Sequence, residues 1–210
     1  LGERLAEEFP VDDADFVSFI PRCPEPAARS YAAARGIPFI KIFYKRKAQR
    51  AFQGPAAKER EDSIKLNLYL KPGIEKTIRG KKVVIIDDST IRGNNSSYAR
   101  HLLYDVCGVA ESWLLNYTSE IGIIGEDGIP RGCEFGVDMP PEENEEHKFI
   151  ARERSVEEIS KITGMPVRFI SRGGMLDVFK SFGILEDRLC TFCVGGKHPF
   201  EGLEDRALDV

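Results

Sequence analysis

Residues 83–97, VVIIDDSTIRGNNSS, constrain the possible fold more than any other part of the chain. Four β-branched residues run without alternation into two carboxylates, Asp87 and Asp88, and a polar turn that contains glycine. An unbroken apolar run of this kind predicts a strand that is buried on both faces of a parallel sheet. Because open α/β folds bind ligands at the carboxyl ends of their strands, the turn after this strand predicts a binding site.

A helix is predicted after the turn, because apolar residues recur at helical spacing in Ala99, Leu102, Leu103 and Val106. Asn95 or Ser96 would cap its start, and Gly108 stands where it would end. The backbone amides of residues 93–97 would then face a bound anion, which suits a phosphate. Two carboxylates beside a phosphate site indicate a sugar phosphate, with Asp87 and Asp88 accepting hydrogen bonds from ribose hydroxyls.

This run resembles the phosphoribosyl pyrophosphate (PRPP) loop of phosphoribosyltransferases, and it is most similar to that of the amidophosphoribosyltransferase family. The family pattern is Val-Asp-Asp-Ser-Ile-Val-Arg-Gly-Thr-Thr-Ser, and here Asn94 and Asn95 replace two threonines, with the loss of two hydroxyl donors. The resemblance implies that Asp87 and Asp88 are catalytic and hold the water shell of Mg²⁺. It implies substrate binding by Ser89, Thr90, Arg92, Gly93, Asn94, Asn95 and Ser96. The alternative is an Asp-Asp-Ser turn that only caps a helix.

The rest of the chain predicts an α/β fold with a mostly parallel, doubly wound sheet. Residues 16–20 and 39–43 are predicted strands around a helix at 26–35 that Gly36 ends, and further strands are predicted at 112–117 and 167–170. A capping box of Ser155 and Glu158 predicts another helix start. With 210 residues and 42% hydrophobic content, a single domain, residues 1–210, is expected. The resemblance implies the type I phosphoribosyltransferase fold and a cysteine-containing carboxyl-terminal segment.

Residues 44–67 form a long, charged and weakly periodic stretch. They resemble the family's flexible flap over PRPP, Lys-Asn-Arg-Tyr-Val-Gly-Arg-Thr-Phe-Ile, in which Arg46 and Arg50 match by spacing and Lys45 is offset by one place. Lys65 opens a Lys-Leu-Asn triplet that also matches. The resemblance implies that Arg46 and Arg50 steady the departing pyrophosphate, that Lys45 and Lys65 bind substrate, and that closure excludes water. An exposed basic loop is the alternative.

The loop after the first strand departs from the family, which carries Pro-Asp-Ser-Gly where this chain has residues 21–25, PRCPE. Arg22 is a candidate pyrophosphate ligand. Pro24, however, removes an amide donor that a phosphate cradle would use, which favours altered or lost activity.

Three cysteines suggest a metal centre. Cys190 and Cys193 have the spacing of a metal or redox pair, and the family resemblance makes Cys133, Cys190 and Cys193 three of four iron–sulfur ligands, with the fourth upstream of Leu1. Thiolates suit an iron–sulfur cluster or zinc. Buried reduced thiols are the alternative.

Composition excludes several classes. The net charge of −4 argues against non-specific nucleic-acid binding, and no apolar stretch approaches the ~20 residues that span a bilayer. A cytoplasmic protein without a membrane or nucleic-acid partner is expected. Because the chain begins at Leu1 rather than methionine, it is expected to start inside a longer protein.

The leading hypothesis is a glycosyltransferase of purine biosynthesis that transfers the phosphoribosyl group of Mg-PRPP to ammonia, giving 5-phosphoribosylamine and pyrophosphate. The resemblance omits the family's glutaminase, so ammonia would be free or supplied by a separate glutaminase or an upstream domain, and a homo-oligomer is expected. The alternatives are a module that senses PRPP or a nucleotide without turnover, and an inactive fragment of the enzyme.

Overall fold

The computed structural model describes residues 1–45, 68–133, 135, 139–141, 148–198 and 200. Its strands are β1 (Phe16–Phe19), β2 (Phe43–Lys45), β3 (Leu68–Leu70), β4 (Lys82–Asp87), β5 (Glu111–Asn116) and β6 (Val167–Phe169). Its α-helices are α1 (Gly2–Glu8), α2 (Glu25–Arg35), α3 (Ile74–Ile78), α4 (Asn94–His101), α5 (Val156–Thr163) and α6 (Arg172–Ser181). A π-helical turn, Leu102–Val106, continues α4, and two 3₁₀ turns, Glu186–Arg188 and Phe192–Val194, follow α6.

The main sheet is entirely parallel, with the strand order β1-β4-β5-β6. Strand β4 is therefore hydrogen-bonded on both sides, and all four of its residues at 83–86 are fully buried. Val83 and Ile85 pack into one hydrophobic core, whereas Val84 and Ile86 pack into a second core on the other face. This confirms the predicted strand that is buried on both faces and places its carboxyl end between two neighbours.

The predicted strand at residues 39–43 is found only in part, because a parallel bridge to β1 involves Phe39 alone and β2 begins at Phe43. Phe39 makes a single parallel bridge to Val17 of β1, and the chain then leaves the main sheet. The amide of Ile42 donates to the Ser18 hydroxyl at 3.1 Å, and β2 pairs antiparallel with β3 in a separate two-stranded sheet. The apolar pattern is that of a strand, but long-range pairing decides which sheet it joins.

Helix boundaries follow local signals, with one exception. Helix α2 ends at Gly36, whose φ is +66°, and Ser155 and Glu158 form the predicted capping box at α5. Helix α4, however, is capped by Gly93 and not by Asn95 or Ser96. Val106 is 47% exposed although it belongs to the predicted apolar stripe, because the wider π-helical turn rotates it away from the core. Within the part of the chain that is described, no helix is long and apolar enough to cross a bilayer.

Candidate active site

The two carboxylates lie at the carboxyl end of the central strand. Asp87 is the last residue of β4 and is 4% exposed, whereas the following Asp88 is half-buried. Each carboxylate turns the chain by accepting from the next amide: Asp88 N–H to Asp87 Oδ1 at 2.9 Å, and Ser89 N–H to Asp88 Oδ1 at 3.0 Å. The chain therefore leaves the edge of the sheet directly after the two acids.

The electrostatics of the acid pair depend on burial. Loss of solvent raises the pKa of the Asp87 carboxyl well above its usual value, and the neighbouring negative charge of Asp88 raises it further. The positive charge of Lys45, at the end of β2, opposes this shift. Burial therefore disfavours the ionised form of the Asp87 carboxyl, and a bound cation would favour it.

The loop that follows the acids is anchored to β5 and its extension. The Thr90 hydroxyl donates to Asn116 Oδ1 at 2.8 Å, and the Asn116 amide donates to the Arg168 carbonyl at 3.1 Å. The Thr118 hydroxyl donates to the Asp88 carbonyl at 2.7 Å. Thr90 is 3% exposed, and its hydroxyl is directed to the neighbouring strand, while its predicted part in substrate binding stays a prediction.

The loop ends at the amino terminus of α4. Gly93 has a φ of +82°, and its carbonyl accepts the first intrahelical bond, from the Ser97 amide at 2.8 Å. The amides of Asn94, Asn95 and Ser96 precede that bond, so the helix itself does not use them. Asn94 is exposed, Asn95 is half-buried and Ser96 is buried. Free amides at a helix amino terminus suit a phosphate, so phosphate binding here stays a prediction with compatible geometry.

The altered loop after β1 reaches the same edge of the sheet. Arg22 and Cys23 are exposed, whereas Pro24 is buried and caps α2. Tyr117, just after β5, was missed by sequence reasoning, yet it lies near this loop. Burial raises the pKa of Tyr117 to about 12, and smaller contributions come from Asp88, Cys23 and Asp87. The carboxyl ends of β1, β4 and β5 therefore converge on one site.

The remaining predicted substrate contacts are placed only in part. Lys45 pairs with Leu68 across β2 and β3, and Arg92 is half-buried beside Gly93. Arg46, Arg50 and Lys65 lie outside the described residues.

The predicted metal centres find little support in the geometry. Cys133 and Cys193 are half-buried and Cys190 is exposed, all as free thiols. Burial raises the pKa of Cys193 to about 11, with contributions from Cys133 and Cys190, so the three thiols are near one another. Across residues 1–45, 68–133, 135, 139–141, 148–198 and 200, however, no group of three or more His, Cys, Asp or Glu side chains is arranged to hold a metal ion. The described residues therefore give no support for an iron–sulfur or zinc site at these positions.

The fold and the site together define a phosphoribosyltransferase-type domain: a parallel sheet whose central strand ends in two carboxylates and a loop that leads to a helix amino terminus. No protein-family model matches the chain. Individual relatives, however, match nearly the whole chain. It is 32% identical over 201 residues to the amidophosphoribosyltransferase of Archaeoglobus fulgidus, across 95% of this chain and 40% of that relative. It is 31% identical over 211 residues to the amidophosphoribosyltransferase of Bacillus subtilis, across 99% of this chain and 41% of that relative.

Solved structures agree with the sequence matches. The glutamine PRPP amidotransferase from B. subtilis, complexed with ADP and GMP, matches with a TM-score of 0.71 and 29% identity, over 94% of this chain and 40% of that chain. The chain is therefore a homologue of the amidophosphoribosyltransferases and has the fold of their phosphoribosyltransferase domain, which confirms the resemblance seen in the sequence. It spans about 40% of the length of these relatives.

Proposed function

We propose that this chain binds Mg-PRPP and transfers its phosphoribosyl group to ammonia, giving 5-phosphoribosylamine and pyrophosphate in purine biosynthesis. The observation that carries the proposal is the placement of Asp87 and Asp88 at the end of β4, directly before a loop that leads into α4. The homology to amidophosphoribosyltransferases supports the same reaction.

In this reaction the bond between ribose C1 and the pyrophosphate oxygen breaks, and its electron pair leaves with pyrophosphate. The nitrogen lone pair of ammonia forms the new C1–N bond, and one proton then leaves the nitrogen. Positive charge develops on the ribose ring, which the carboxylates of Asp87 and Asp88 would stabilise while they hold the ribose hydroxyls. Because ammonia is itself the nucleophile, the reaction needs positioning more than a general base.

Magnesium, which Asp87 and Asp88 would hold through water, would neutralise the charge of the leaving pyrophosphate. A cation beside Asp87 would offset the free-energy cost of an isolated negative charge at this buried position. The positive charge of Lys45 also favours the ionised carboxylate.

The 5′-phosphate would bind at the amino terminus of α4, where the amides of Asn94, Asn95 and Ser96 precede the first helical bond. The exposed Asn94 side chain offers a further donor in place of the family's threonine hydroxyl. Arg22, Arg46, Arg50 and Lys65 are the proposed contacts to pyrophosphate and the rest of PRPP.

The ammonia supply, the assembly and the location belong to the same proposal. Ammonia would be free or supplied by a separate glutaminase or an upstream domain, and residues 1–210 would act as a single phosphoribosyltransferase domain. A cytoplasmic homo-oligomer is the expected form. The proposed reaction needs no iron–sulfur cluster, and the part of the chain that the structure describes shows no group of ligands for one.

The test is ammonium-dependent release of pyrophosphate from Mg-PRPP. Asp87→Asn and Asp88→Asn should each lower the rate by about 10²–10³, the loss typical for removal of one electrostatic stabiliser. Asp177→Asn is the matched control, because Asp177 lies on α6 and its nearest ion pair, to Arg4, spans 3.9 Å. Release that needs ammonium and fails only in the two site variants would support transfer. Binding of PRPP in calorimetry without release of pyrophosphate would instead indicate a sensing module. The absence of both binding and release would indicate an inactive fragment.

A further inference from the structure

Residues 148–154 form a short connection before α5 that is unusually well buried for a segment without a long helix or a strand. Phe149, Ile150, Ala151 and Arg152 are between 2% and 8% exposed. The connection lies between the loop that follows Asp88 and the chain that carries Cys133. A buried connection of this kind must have its polar groups satisfied, and its partners show what it holds.

On one side the connection supports the loop of residues 88–93, which is the proposed phosphate-binding loop. The Ile150 amide donates to the Ile91 carbonyl at 2.7 Å. A methyl group placed on Gly93 would come within 2.7 Å of Ile150 Cδ1, so this side chain packs directly against the backbone at the start of α4. The position of Ile150 therefore limits where the loop backbone can lie.

On the other side Arg152 joins three separate stretches of backbone. Its Nε donates to the Gly122 carbonyl at 2.6 Å, and its terminal nitrogens donate to the carbonyls of Arg131 at 2.6 Å and Pro141 at 2.9 Å. The guanidinium also lies 4.9 Å from the ring centre of Phe149. Arg152 is 8% exposed, so these bonds form away from bulk solvent, where they hold more firmly.

The bonded carbonyls flank the cysteines. Arg131 precedes Cys133 by two residues, and the Cys133 amide donates to the Met139 carbonyl at 2.5 Å. The Gly122 amide donates to the Cys193 carbonyl at 3.0 Å. The Arg152 side chain thus links the backbone that carries the cysteines to the connection that supports the proposed phosphate-binding loop.

We propose that Arg152 is a positioning residue for the phosphate-binding loop. Through the rigid connection it fixes Ile150 against Ile91 and Gly93, so that the loop and residues 122–133 open and close as one unit. What the loop binds rests on the proposed function, whereas the mechanical coupling does not. The planar fork of arginine reaches acceptors in three directions, which the single ammonium of lysine cannot reproduce.

The coupling is tested by amide hydrogen exchange on the ligand-free protein, followed by mass spectrometry. Arg152→Met should speed exchange by roughly tenfold or more both in residues 122–133, which lose the bonds, and in residues 88–97, which lose their support. Arg152→Lys should restore part of the protection. Arg79→Met is the control for loss of an arginine, because Arg79 is exposed just after α3, and it should leave both regions unchanged.

Faster exchange in residues 122–133 alone would overturn the coupling. If Arg152→Met does not fold, Ile150→Val gives the second test, because it shortens only the side chain that meets Gly93, and it should speed exchange in 88–97. In the transfer assay Arg152→Lys should raise the KM for PRPP more than it lowers kcat. Coupled exchange without any transfer would leave the inference standing and the proposed function refuted, while transfer with uncoupled exchange would do the reverse.

Discussion

Replacement of Thr90 by valine tests whether the loop of residues 88–93 is held by its bond to β5. Valine has the shape of threonine, so no cavity forms, but Asn116 Oδ1 loses its donor in a site where Asn116 is fully buried. An unsatisfied buried acceptor costs about 1–3 kcal/mol. A domain of this size loses about 2–4 °C in Tm for each kcal/mol, so Thr90→Val should melt roughly 4–8 °C below the wild type if the cost is ~2 kcal/mol.

Urea unfolding followed by circular dichroism gives the free energy directly, and differential scanning calorimetry gives the Tm. Thr77→Val, at an exposed position of α3, is the matched control and should change stability by no more than about 0.5 kcal/mol. In a double-mutant cycle, Thr90→Val should cost much less in an Asn116→Leu background than alone, because the orphaned oxygen is gone. Equal losses at Thr90 and Thr77 would show that the bond does not stabilise the loop.

Three further changes follow from the site and its supports. Asp87→Asn should stabilise the ligand-free protein at pH 7, because the pKa of Asp87 in the folded state is raised above the unfolded value of about 3.9. The stability of the wild type therefore falls as the pH rises from the unfolded pKa through the folded pKa. Urea titrations should show that the gain in the variant vanishes near pH ~3, where both states of the wild type carry a protonated Asp87. A gain that is independent of pH would contradict this cause. Gly93→Ala should lose more stability than Gly73→Ala in the same assay. Both glycines have positive φ, which costs alanine roughly 1–2 kcal/mol, but only at Gly93 would the new methyl group meet Ile150. Equal losses would show that the contact with Ile150 does not destabilise the variant. Ser155→Ala should lose about 1 kcal/mol of stability through its cap, measured by urea unfolding, with Ser155→Asp as the conservative control that should lose less.

Elements with short-range signals could be predicted from the sequence. The apolar run of β4, the glycine after α2 and the Ser155–Glu158 box each lie within a few residues and fix their own conformation. The pairing of β2 could not be predicted, because it depends on residues 68–70 and on the bond between Ile42 and Ser18. Periodicity identifies a strand but carries no information about its partner.

The site shows the same division. Asp87, Asp88 and Gly93 form one local motif, and sequence reasoning found them together. Tyr117 and Asn116 lie close to the motif only because β5 pairs with β4, a fact that no local pattern contains. The motif predicts that Thr90 binds substrate, and the structure adds a buried hydrogen bond from its hydroxyl to Asn116 on β5, which the motif does not indicate.

The parallel arrangement of the main sheet also has a consequence for how the chain reaches this structure. Phe16 pairs with Val83, and Leu114 pairs with Val167, so each neighbouring strand pair closes a long stretch of chain before it gains any ladder bonds. High contact order of this kind slows folding, and β4 must collect partners from both earlier and later parts of the chain. Until β1 and β5 pair with it, the apolar residues 83–86 have open edges on both sides, which exposes this strand to misassembly during synthesis.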